Sequence, residues 1–245
     1  MTALPTRKLE AYRYADIDAL ASVWTDLAPP ECIEIAAQQK LQQIWLPNDE
    51  DVQVRRVELT LAKSAIASIF ALNTASRYGR IELDVSLHDN SDFTFNAANI
   101  GGDNATLEIV TTVRHLGPGA TSRQTVRSVL GGKVTGSYLG KVAVARGADG
   151  TDSEQSVKAM LLTRGASANA KPELEIYADD VKCAHGATVG ELDPNQLFYA
   201  AARGLDPASA RALLLEGFIG GLWDDIDGDG EGIADLARAA LKRVA

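Results

Sequence analysis

Cys183 and His185 are the pair of residues in this sequence whose types and spacing best suit chemistry. A thiolate and an imidazole both bind metal ions, and the two residues are two positions apart in a segment, residues 176–189, whose pattern predicts a strand. Side chains two apart on a strand leave the same face. We therefore expect both to converge on one metal ion or one partner residue.

The small number of cysteines and histidines in the chain limits which metal sites this pair can complete. Structural zinc takes four N or S ligands and simple iron–sulfur clusters commonly take four thiolates. The whole chain has two cysteines, the other being Cys32, and three histidines. Any cluster held at Cys183 and His185 would therefore need ligands from another subunit. The alternative is purely structural: Cys183 is a small buried hydrophobic residue, and His185 is an ordinary hydrogen-bonded histidine.

Two other regions contain weaker candidates. His115 and Arg123, in RHLGPGATSRQ, are candidate polar residues at a functional surface, or else ordinary solvent-facing side chains of strands. The run DDIDGDGEG begins like an EF-hand loop at Asp225, but Leu236 stands where the bidentate Glu is needed. An acidic linker between helices is the expectation for that run.

Composition excludes several classes of function. The net charge of -9 argues against general attraction to nucleic acid or to an anionic membrane. No apolar run approaches the roughly 20 residues that cross a bilayer, and none at the start has the length of a signal peptide. Two distant cysteines exclude a small disulfide framework and favour a reducing cytoplasm.

The elements that must position Cys183 and His185 fall into three predicted regions. Residues 1–50 read as a short N-terminal helical cap, 51–190 as a core of many strands, and 191–245 as a C-terminal helical region. Period-2 alternation in VQVRRVELTLA, RIELDVSLHD, ATLEIVTTVRHL and KVTGSYLGKVAVA carries the strand prediction. No helix-length run interrupts these strands, which excludes a βαβ plan. A sandwich, a barrel and a β-solenoid all stay open.

The C-terminal region carries clear helix signals. Asp193-Pro194 and Asp206-Pro207 each place an Asp at the N-cap and a Pro at the first helical position, and Gly204 stands where the first helix should end. A third helix is predicted from about Ile233 to Val244. The first two helices have an apolar stripe that must be buried against something. It comprises Leu197, Phe198, Leu213, Leu214 and Phe218.

The stretch KPELEIYADDVKCAHGATVGELDPNQLFYAAARGLDPASARALLLEGF resembles the end of SufD-type subunits, members of the SufB/SufD family of the Suf iron–sulfur machinery. Upstream, RHLGPGATSRQTVRSVLGGKVTGSYLGKVAVARGADGTDSEQSVKAMLLT is similar to the preceding core of that family. The opening PTRKLEAYRYADI resembles its amino-terminal signature. The resemblance implies a mainly β fold, a right-handed parallel β-helix with flanking N-terminal and C-terminal helical segments. It also implies that this chain is short for the family, with a reduced N-terminal part.

The resemblance implies partners and a site as well. Family members form a complex of SufB, SufD and the ABC ATPase SufC, so the expected partners are a SufB-like subunit and a SufC-like ATPase, with no nucleic acid and no membrane. Residues 193–218 become the expected ATPase contact. His185 becomes a candidate iron ligand and Cys183 an accessory residue at a SufB–SufD junction. The expected cofactor is a transient iron–sulfur cluster shared with SufB, with flavin as a secondary expectation.

Two alternatives to the scaffold subunit stay open. One is a stand-alone metal-dependent enzyme that uses Cys183 and His185, with His115 as a third ligand. The other is a purely structural partner that docks the ATPase and has no ligand role. Because the chain has no Walker A loop, nucleophile elbow or HExxH helix, ATP hydrolysis is expected from the SufC partner and not from this chain.

Overall fold

The computed structural model describes residues 3–228 and 230–244 and has a parallel β-solenoid as its centre. Two six-stranded sheets face each other, and successive strands alternate between them, so each coil contributes one strand to each sheet. The strands of sheet one are β1 (Glu31–Ile35), β3 (Val52–Leu61), β5 (Tyr78–Leu87), β7 (Thr106–His115), β9 (Thr135–Val144) and β11 (Ser167–Ile176). Those of sheet two are β2 (Lys40–Trp45), β4 (Ile66–Asn73), β6 (Asp92–Gly101), β8 (Thr121–Leu130), β10 (Asp152–Leu161) and β12 (Lys182–Gly190).

All strand pairs in both sheets are parallel and in continuous register. This confirms the mainly β, β-solenoid fold that the resemblance implies. The coils grow along the chain: Val52 aligns with Tyr78, 26 positions later, whereas Thr135 aligns with Ser167, 32 positions later. The unequal coil length is why no fixed repeat is visible in the sequence.

Two flanking layers each cover part of the outer face of one sheet. On sheet one, a short 3₁₀ helix (Glu10–Tyr12) and α1 (Ile17–Val23) bury Ala19 and Leu20 against Tyr78. On sheet two lie α3 (Pro207–Gly220) and α4 (Glu231–Val244), while α2 (Pro194–Ala202) packs on α3. Removing these apolar faces from water stabilises the solenoid from both sides.

The first coil corrects one boundary expected from the sequence. The solenoid begins at Glu31, so β1 and β2 lie inside residues 1–50, the stretch predicted to be a helical cap. These strands have only five and six residues and carry several polar side chains, which hides the alternation. The helical part of that stretch is confined to residues 10–23.

The segment around the Cys–His pair is also organised differently from the prediction. Residues 176–189 are not one strand: β11 ends at Ile176, the chain turns through 177–181, and β12 starts at Lys182 on the opposite sheet. Asp179 and Asp180 lie at this corner, where short polar side chains favour a turn.

Candidate functional site

The last coil, formed by β11 and β12 and here called the terminal coil, is open on one side. Among the described residues β11 pairs only with β9, and β12 pairs only with β10. The outer edges of both strands therefore present unpaired backbone N–H and C=O groups, which readily pair with another chain. Almost all of β12 is exposed.

Cys183 and His185 both lie on β12 and on its inward side. In the register of sheet two, Cys183 stands beside Ser153 and His185 beside Gln155, and both of these partners are buried in the solenoid interior. Cys183 is half-buried against the core, whereas His185 is exposed because no further coil covers it. The pair therefore lies at the mouth of the solenoid interior.

The surroundings of Cys183 disfavour its thiolate. Burial raises the pKa of the Cys183 thiol, and the carboxylate of Asp152 raises it further, while the backbone N–H of Ser153 acts in the opposite direction. Reactive cysteines need a lowered pKa. Cys183 is thus a protonated thiol near neutral pH unless a metal or a partner stabilises its anion.

A chain of hydrogen bonds runs through the interior and ends beneath Cys183. His115 Nε2 is 3.0 Å from Ser122 Oγ, and Ser122 Oγ is 2.9 Å from Ser153 Oγ. Burial lowers the pKa of His115 to about 4, although the backbone of Ala120 opposes that change. The prediction that His115 lies at a functional surface is wrong, because this end of β7 turns its side chain inward, where it is fully buried.

A second polar group, which sequence reasoning missed, lies beneath His185. The Tyr138 hydroxyl is 3.2 Å from Gln124 Oε1, 3.0 Å from Gln155 Nε2 and 3.1 Å from Thr111 Oγ1. Gly140 makes room for this ring, since a Cβ there would be 2.2 Å from the hydroxyl oxygen. The available signal was a glutamine at an inward position in both β8 and β10, where the alternation predicts apolar residues.

The remaining candidates lie away from the terminal coil's mouth or add no ligand to it. Arg123 is on the outer face of sheet two, with Nη1 2.9 Å from Asp152 Oδ1. Within residues 3–228 and 230–244, no group of three or more His, Cys, Asp or Glu is arranged to hold a metal ion. In the acidic loop, the backbone of Asp227 bonds the side-chain amide of Gln42, and Asp229 is outside the described residues.

The helical pair α2–α3 forms a separate surface. Asp193 and Asp206 cap the two helices as their sequence signals predict, with Asp193 Oδ1 2.8 Å from Asn195 N, and Gly204 follows α2 with φ of +93°. Phe198 is 76% exposed and Leu213 58% exposed, and two further large apolar side chains of the same helical pair, Tyr199 and Leu205, are exposed as well. The other stripe residues are less available: Leu197 and Leu214 are half-buried, and Phe218 packs partly against the core shared by α3 and α4.

The helices of the described residues include none that is long and apolar enough to span a membrane. Both cysteines are free thiols.

Comparisons with a family model and with individual known proteins point to the same family. Residues 32–218 match the family described as SUF system FeS cluster assembly, SufBD core domain. The iron-sulfur cluster assembly protein SufD of Escherichia coli is 30% identical over 84% of this chain and 49% of its own length. A SufBD family protein of Synechocystis is 27% identical over 79% of this chain and 44% of its own. The chloroplastic protein ABCI7 of Arabidopsis thaliana is 46% identical over 33% of this chain and 17% of its own.

The chain spans about half the length of the first two of these relatives. The family match nonetheless covers most of the chain, from the first strand of the solenoid to near the end of α3, and includes the Cys–His pair. The chain belongs to the SufBD family of the Suf system for iron–sulfur cluster assembly.

Proposed function

We propose that this chain is a SufD-like scaffold subunit of iron–sulfur cluster assembly, which pairs with a SufB-like subunit through its terminal coil. The observation that carries the proposal is the position of His185 and Cys183 at an open mouth of the solenoid, framed by two unpaired strand edges. A partner that pairs with these edges would bring its own side chains over both residues.

At that junction His185 would hold iron and Cys183 would assist. Two donors cannot complete an iron or cluster site, so the partner must supply the rest, and the cluster is cargo that leaves. A Cys183 thiol that is protonated when unliganded fits this accessory role, because binding of a metal releases its proton only once the site is assembled.

The α2–α3 surface would dock a SufC-like ABC ATPase. Tyr199 and Leu213 line an apolar groove between the two helices, and Phe198 is exposed on α2. Large exposed apolar anchors of this kind are typical of binding hot spots. ATP hydrolysis would then come from that partner and not from this chain. The two free thiols fit a reducing cytoplasm, where we propose that the complex works. Flavin binding stays a prediction from the resemblance.

The experiment is reconstitution with a SufB-like subunit and a SufC-like ATPase, followed by measurement of iron, sulfide and complex assembly. We expect His185→Ala to lower cluster yield without loss of assembly, and Cys183→Ala to have a smaller effect. His88→Ala is the matched control, since His88 is an exposed histidine at the turn between β5 and β6, away from the terminal coil. Wild-type yield from His185→Ala would contradict the ligand assignment, and a stoichiometric, tightly held ion in the purified chain alone would favour the enzyme alternative instead.

A further inference from the structure

Gln155 contains a buried hydrogen-bond acceptor without a partner. Its side chain is 1% exposed, its Nε2 donates to the Tyr138 hydroxyl at 3.0 Å, and its Oε1 has no hydrogen bond with any described residue. Burying an amide oxygen in this state is unfavourable, and each such group in a folded protein calls for a specific explanation.

The Tyr138 hydroxyl determines which way this amide faces. A hydroxyl has one proton, and here Tyr138 directs it to Gln124 Oε1. The contact with Gln155 must then be donated by the amide N–H₂, which turns Gln155 Oε1 away from Tyr138. The acceptor is thus kept available by a neighbour that is itself fixed inside the solenoid.

His185 is the residue next to Gln155 in the inward column of sheet two. The two are register partners on adjacent strands, which lie roughly 4.8 Å apart. In this structure no hydrogen bond joins them, but the exposed His185 ring is free to rotate, and an imidazole always has at least one N–H to donate. The next inward residue of β10, Ser153, is the register partner of Cys183 and not of His185.

We propose that Gln155 is a positioning residue for His185. Its Oε1 accepts a hydrogen bond from one ring N–H, which leaves the other ring nitrogen unprotonated and directed out of the solenoid mouth. Metal-binding histidines are commonly oriented by such an acceptor on the second ring nitrogen. This inference rests on the proposed function, because the orientation of the His185 ring affects cluster assembly only if His185 binds iron.

The first test is the tautomer of His185 in the full chain, read from ring ¹⁵N chemical shifts with labelled histidine. The chain has three histidines, so the spectrum is simple to assign with His88 and His115 variants. We expect one dominant tautomer in the wild type, a shift toward a mixture in Gln155→Met, and recovery in Gln155→Glu, which keeps an acceptor oxygen. Ser128→Ala is the control, since it removes a buried polar side chain from an inward position of β8 that does not contact the Tyr138 hydroxyl.

Identical His185 shifts in the wild type and Gln155→Met would overturn the inference, as would an equal change in Ser128→Ala. The second readout is iron binding by the assembled complex, which we expect to weaken by about 10- to 100-fold in Gln155→Met. The ligand role of His185 and the positioning role of Gln155 are tested by different results. Wild-type cluster yield from His185→Ala would remove the ligand role while the tautomer response stood, and an unresponsive tautomer would remove only the role of Gln155.

Discussion

Arg80 and Glu108 form a fully buried ion pair, with Nη1 3.1 Å from Oε2, on the outer face of sheet one. Tyr78 donates to the same carboxylate at 2.5 Å, and the ring of Tyr12 from the N-terminal segment lies 4.2 Å from the guanidinium carbon. Burial, together with the Glu108 charge, raises the pKa of Tyr78, which therefore stays a neutral donor. The N-terminal segment thus covers the buried Arg80–Glu108 ion pair on the outer face of sheet one.

Removing one charge of this pair should destabilise the fold strongly. We expect Glu108→Gln to lower the free energy of unfolding by about 3 kcal/mol, because Arg80 would be left buried with less compensation. Urea unfolding followed by tryptophan fluorescence measures this. In Glu82→Gln, which removes the more exposed partner of Arg80, the loss should stay below about 1 kcal/mol. Equal losses in both variants would show that burial does not decide the strength of these pairs.

His115 should make stability fall in mild acid. Its pKa is about 4 in the folded chain and about 6.5 when unfolded, so below pH 6.5 the unfolded chain binds the proton first. The contribution of neutral His115 to the free energy of unfolding is fully present above pH 6.5, and it is lost as the pH falls toward 4. Between pH 7.5 and 5 we expect a loss of about 2 kcal/mol from this residue.

The measurement is the free energy of unfolding at both pH values in the wild type and in His115→Gln. The variant should lose this part of the pH dependence, whereas His88→Gln, at an exposed turn, should keep it. An unchanged pH dependence in His115→Gln would mean that other groups cause it.

The α2–α3 surface should be needed for ATPase docking. We expect Phe198→Ser with Leu213→Ser to weaken binding of the SufC-like ATPase by at least about 10-fold, because both side chains are exposed apolar anchors. Co-purification and titration calorimetry measure the effect. Leu46→Ser removes an exposed leucine elsewhere and should bind normally. Persistent binding by the double variant would move the interface to another surface.

Gly186 tests the junction at the terminal coil. A Cβ at this position meets nothing within 4 Å, so Gly186→Arg should leave the chain folded while its side chain obstructs a subunit that packs on β12. Co-purification with the SufB-like subunit should fall. Gly232→Arg, at an equally open glycine of α4, is the control. Normal pairing by Gly186→Arg would argue against β12 as the joining edge.

Cys183 should be the slower of the two thiols in alkylation. It is half-buried with a raised pKa, while Cys32 is exposed. Iodoacetamide rates for Cys32→Ser and Cys183→Ser, each with one thiol left, compare the two directly. Asp152→Asn should speed the reaction of Cys183, since the Asp152 charge opposes its thiolate. Faster reaction at Cys183 than at Cys32 would contradict the assigned surroundings.

The strands that the sequence predicts by alternation, β3, β5, β7 and β9, all belong to sheet one. Those of sheet two are harder to recognise because α3 and α4 cover part of its outer face, so residues such as Phe70 and Ala98 are buried there and the alternation is lost. Glutamine and serine at inward positions of β8 and β10 obscure the pattern further. Local alternation reports one buried face, and it fails where both faces are buried.

Local chemistry by itself determined several features. Asp193-Pro194 and Asp206-Pro207 specified where α2 and α3 begin, because a capping carboxylate and a fixed φ act within one turn of helix. The two-residue spacing of Cys183 and His185 specified their common face for the same local reason. Only the tertiary structure decided that His115 is buried and that Gln155 stands beside His185. Those relationships depend on how many residues each coil takes to return to the same sheet, which is a non-local property of the solenoid.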